Sequence, residues 1–202
     1  MATQHVGLRH ATVAAVLIAC MSVPYMAEAR CISYDPALGG VRLWAAGGAY
    51  GFRLTKPAGE EPPIGSLFRL SPKGQEQTVW ERTLPNIPNL VLFSADLRTV
   101  ATIDSACSGE RKHALMLYGA DGRVVADFAF DDIVPEKQWA GRVMVSSAGI
   151  YWAEGTRFAF EPDFSLKHFV LTFPAGDQIR LDYTTGRIVS SDGVEVRPSP
   201  AP

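Results

Sequence analysis

Short apolar runs separated by turn-forming residues predict an all-β chain of antiparallel hairpins. Three observations carry that expectation. Glycine and proline number 18 and 14 in 202 residues, too many breakers for long helices. The runs between them are four to eight residues long and rich in Val, Ile, Leu, Phe and Tyr, the side chains that suit a pleated surface. A hairpin pattern also returns along the chain. Leu67-Phe68-Arg69-Leu70-Ser71-Pro72-Lys73-Gly74 lines up with Leu115-Met116-Leu117-Tyr118-Gly119-Ala120-Asp121-Gly122 at an offset of 48 (67 to 115), and Trp80 falls on Phe128 at the same spacing. Residues 181–189 repeat the end of the pattern, with Gly186 before Arg187, Ile188 and Val189. Four short strands in about 40–50 residues is the size of a β-propeller blade. A β-sandwich uses the same turn chemistry and stands as the alternative.

The elements follow in order. Residues 40–54 read as two strands broken at Gly47 and Gly48. Residues 56–65, with three prolines and the pair Glu60-Glu61, read as a loop. Strands are expected at 67–70 and 77–84 around the turn 71–74, and at 90–93 and 99–104 around 94–98. A further pair is expected at 114–118 and 123–130 around Ala120-Asp121-Gly122, since Asp-Gly between apolar runs is a strong hairpin signal. One short helix is expected near 131–140, with Asp131 or Asp132 as its cap, Pro135 in its first turn and Gly141 closing it. Strands resume at 142–145, 149–152, 156–160, 168–173, 178–183 and 187–190. Residues 197–202 read as a proline-rich, disordered tail.

The start of the chain reads as an address. Arg9 is the one firm charge in residues 1–10, residues 11–20 are apolar or small, and Ala27-Glu28-Ala29 fits the small-x-small pattern of a signal-peptidase site. Cleavage between Ala29 and Arg30 leaves one β-rich domain over 30–196. The apolar run is short of the ~20 residues that span a bilayer. Leu17-Ile18-Ala19-Cys20 also fits a lipobox, in which Cys20 would carry a lipid anchor. Either route implies an exported chain, periplasmic, extracellular or tethered to a membrane as a lipoprotein. Of the three cysteines, Cys31 and Cys107 then remain, and two cysteines in an oxidising compartment predict a disulfide. Closing so long a loop contributes about 4 kcal/mol in the chain-entropy account.

The segments Val91-x-x-Ser94-x-Asp96, Val100-Ala101-Thr102-x-Asp104, Leu117-Tyr118, Gly122-Arg123-Val124-Val125, Phe128, Asp132-Ile133, Ser146-Ser147 and Tyr151-Trp152 resemble a pattern in exported bacterial β-repeat proteins with propeller-blade-like sheets. The likeness covers residues 80–152, and 106–111 depart from it where an aromatic, glycine-rich linker is expected. It implies fold and export, and that family brings no activity with it.

Chemistry is sparse. Acidic and basic side chains nearly balance, 21 to 19, so no basic field draws the chain to nucleic acid. There is no phosphate loop, no Gly-x-Ser-x-Gly elbow, no Cys/His cluster and no calcium-loop spacing. No catalytic, cofactor-binding or metal-ligating residue is therefore assigned. His113 and His168 survive processing, and an enzyme would need one of them in a cleft beside a carboxylate or serine. Aspartates 127, 131 and 132 suit turns and helix ends more readily than catalysis. Among the aromatics, Tyr151 and Trp152 are strand neighbours whose side chains point to opposite faces, so one is core and the other a candidate ligand contact. The resulting expectation is an exported, non-enzymatic binding or scaffold module of the bacterial envelope, meeting an envelope protein or glycan. The alternatives are an envelope enzyme of hydrolase-like type and a lipid-anchored accessory protein.

Overall fold

The computed structural model describes residues 40–46, 49–57, 60–104, 111–134, 140, 142–146, 149–162, 167–190 and 195–196. Cys20, Ala29, Arg30, Cys31 and Cys107 lie outside them, as does the tail at 197–202. The described chain is all-β, with one short helix.

The strands assemble in chain order. β1 (Gly40–Ala46), β2 (Tyr50–Lys56), β3 (Ile64–Leu70) and β4 (Glu76–Thr83) make a four-stranded antiparallel meander. β5 (Leu90–Phe93), β6 (Val100–Ile103), β7 (Leu115–Tyr118) and β8 (Val124–Phe128) make a second. The ribbon β9 (Met144–Ser146) and β10 (Gly149–Tyr151) precedes a third meander, β11 (Arg157–Phe160), β12 (His168–Thr172), β13 (Gln178–Asp182), β14 (Arg187–Ser190) and β15 (Glu195–Val196).

Alternation explains how the sheets stack. In the second sheet Leu90, Ile103, Leu115 and Phe128 form one cross-strand row, and Leu92, Ala101, Leu117 and Ala126 the next. Both rows face the third sheet and pack with Phe158, Phe169, Leu171, Ile179, Leu181 and Ile188. The intervening residues Val91, Val100, Met116 and Tyr118 point the other way, onto Phe52, Leu54, Leu67 and Trp80 of the first sheet. The second sheet is thus buried on both faces, which is why β6 and β7 are buried at every residue and show no apolar–polar alternation. Three antiparallel meanders stack in series, with Cα atoms of the first strands β5 and β11 approaching within 8 Å, an arrangement consistent with blade-like sheets or a sandwich.

The repeat seen in the sequence is a repeat in space. Gly74, Gly122 and Gly186 close the third-to-fourth strand turns of the three sheets at φ of 75°, 78° and 70°. The Gly122 turn sits on Trp80 of the preceding sheet, and the Gly186 turn on Val125 and Ala126 of its preceding sheet. Gly74 belongs to the first sheet among the described residues, and a Cβ there would meet nothing within 4 Å. The β5–β6 turn is fixed differently. The Ser94 hydroxyl donates to Asp96 at 2.6 Å and accepts from the Thr99 amide, and Leu97 takes φ 57°. Burial works to raise the Asp96 carboxyl, but the Ser94 hydroxyl, the Arg98 amide and Lys167 outweigh it and bring it below the usual value. Lys167, 4.0 Å away, ties this turn to the third sheet.

Three expectations are corrected. β3 begins at Ile64 inside the expected loop, because Lys56 folds that loop back by donating to the carbonyls of Pro57 (3.1 Å) and Glu61 (2.7 Å). Gly65 can then join the strand, its missing Cβ making room for Phe52 and Leu84. The helix, α1, spans Phe130–Ile133, and the expected Pro135 and Gly141 lie outside the described residues. Its start is set by the buried pair Phe130 and Ile133, so Asp131 and Asp132 lie in its first turn and not before it. Asp132 still acts as an N-terminal group, accepting from the Ala129 amide at 3.1 Å. β15 was not expected, and its two residues carry no pattern from which to read it.

Candidate functional site

Polar chemistry gathers on the seam between the first and second sheets. The row Val91, Thr102, Met116 and Asp127 faces the first sheet, with Tyr118 one step along β7. Across the seam, alternation on β4 brings Trp80 and Arg82 to the same face. Trp80 pairs with Leu67 and Arg82 with Gly65, beside Phe52. Asn86 follows, where Pro85 has ended the strand.

Tyr118 is the centre. Its ring lies 5.6 Å from that of Trp80 and 5.3 Å from the Arg82 guanidinium, and its hydroxyl donates to Met116 Sδ at 3.1 Å. Arg82 also donates to the carbonyl of Gly122, which fixes the turn to the seam. Three buried polar atoms here lack hydrogen-bond partners, Trp80 Nε1, Arg82 Nε and Asn86 Oδ1, and the Thr102 hydroxyl has only the Tyr118 phenol beside it. Native interiors leave few such groups unmet, so their concentration on one seam marks it as the site most suited to a small polar guest or ordered water.

Burial pushes the Tyr118 phenol well above the ordinary tyrosine range; the Thr102 hydroxyl and Arg82 pull the other way, and the Asp127 carboxylate adds to the rise. The folded protein therefore holds a proton that the unfolded chain gives up near pH 10. The stability so contributed is complete below about pH 10 and falls as pH rises beyond it, by at most about 1.4 kcal/mol per pH unit. Tyr118→Phe should flatten that fall in urea unfolding followed from about pH 9 to about pH 11. Parallel slopes for the two proteins would show that Tyr118 does not titrate in this way.

At the rim of the seam the Nδ1 of His113 meets both carboxylate oxygens of Asp127, at 3.0 and 2.9 Å. Asn86 Nδ2 donates to the His113 carbonyl at 2.9 Å. His168 is on the far face of the third sheet, its Nδ1 3.0 Å from Glu161, which also takes Arg180 Nε at 3.3 Å. Arg180 donates to Gln178 (2.8 Å) and Gln178 to Thr172 (3.2 Å), so this face is a polar ladder. Each histidine has a carboxylate, and no described serine is bonded to either. Among the described residues no three His, Cys, Asp or Glu side chains group to hold a metal, and no helix is long and apolar enough to cross a membrane.

Trp152 is corrected as a contact residue. It is 4% exposed in the core, 5.8 Å from the Phe130 ring and 5.6 Å from that of Phe158. The chain leaves β10 in a bend after Tyr151 and lays Trp152 beneath the third sheet. Tyr151 is half-buried and remains the candidate of the two. The seam itself was not read from the sequence. Its signals were an arginine two residues after Trp80 on a strand, and a tyrosine and a threonine inside otherwise apolar runs.

Comparison with family models, characterised proteins and solved structures returns no match.

Proposed function

We propose that this chain is an exported, non-enzymatic binding or scaffold module of the bacterial envelope. The observation that carries the reading is the asymmetry of the stack. The far face of the third sheet is laced with the Glu161–His168–Arg180–Gln178 ladder. The opposite end face, on the first sheet, leaves Val41 60% and Leu43 62% exposed on neighbouring register positions. That face also holds the Arg53–Glu76 ion pair and the Ser66–Glu81 bond, and large apolar side chains left exposed among polar ones mark a contact surface. The targeting segment supports export, and an oxidising compartment would then allow the expected Cys31–Cys107 disulfide.

The test places a photoreactive amino acid at position 43, or at exposed position 159 on the polar face, in the full precursor expressed in its own host. The expected result is an envelope-located chain that begins at Arg30, or at acylated Cys20, with thiols protected until reduction and covalent adducts from position 43 alone. A folded, exported chain that forms no adduct from position 43 would overturn the reading.

A further inference from the structure

We draw no further inference here: the strongest candidate, the cluster of buried polar atoms Trp80 Nε1, Arg82 Nε and Asn86 Oδ1 on the seam between the first and second sheets, belongs to the site already described, and nothing in the structure shows what would meet it.

Discussion

Replacing Trp80 with alanine should cost about 3–5 kcal/mol of unfolding free energy, the range for emptying a large aromatic site in a packed core. Trp80 is the bolt between the first two sheets. Its ring meets Phe52 edge-on at 5.8 Å and Tyr118 at 5.6 Å, and its face receives the Gly122 turn. Alanine would leave a void that the two sheets can close only by moving together, and the Arg82 bond to the Gly122 carbonyl resists such a shift. For a domain of this size the loss corresponds to a melting temperature lower by on the order of 10 °C. Water reaching Tyr118 would also lower its raised ionisation, so the alkaline loss of stability should become shallower in the same variant. Trp80→Phe should cost far less, about 1–2 kcal/mol, because Phe128 fills the equivalent place in the second sheet, paired with Leu115 as Trp80 is with Leu67. Urea unfolding of the three proteins decides the matter. An alanine variant as stable as the phenylalanine one would mean that the first sheet is not bolted to the second at this point.

The strands were legible because their turns were. Asp121-Gly122 and the spacing from Gly74 gave the hairpins, and local turn geometry sets strand pairing without reference to the rest of the molecule. The order of the sheets was present in the sequence in a less familiar form. Leu115-Met116-Leu117-Tyr118 has no alternation because both of its faces are covered, and an apolar run with no period does not say what covers it. Tyr151 and Trp152 show the same limit. Alternation separates the two side chains, while the bend that puts Trp152 inside is a tertiary event. The seam was hidden for a related reason. Arg82, Asn86, Thr102 and Tyr118 are far apart in the chain and become neighbours only when the first sheet lies on the second. Val41 and Leu43 looked like ordinary strand residues until the register placed them, exposed, on the outer face of the first sheet.

Gly122→Ala should be much more damaging than Gly74→Ala, although the two glycines hold the same turn position at nearly the same φ. The left-handed conformation charges either alanine about 1–2 kcal/mol. At Gly74 that is the whole cost, since a Cβ there meets nothing. At Gly122 the added carbon would lie 2.8 Å from Trp80 Cγ, well inside contact distance, and the indole is wedged between Phe52 and Tyr118 with nowhere to go. Overpacking of that kind adds about 1–3 kcal/mol. The two contributions separate in a double-mutant cycle. In the Trp80→Ala background the new methyl enters the vacated space, so Gly122→Ala should fall back to the cost seen at Gly74, with a coupling energy of about 1–3 kcal/mol. Equal costs for the two glycines in the wild-type background, or strict additivity with Trp80→Ala, would mean that the turn does not dock on the preceding sheet. The repeat would then be one of turn chemistry alone. A clear coupling would make the docked glycine turn the device by which each sheet in this chain seats on the one before it.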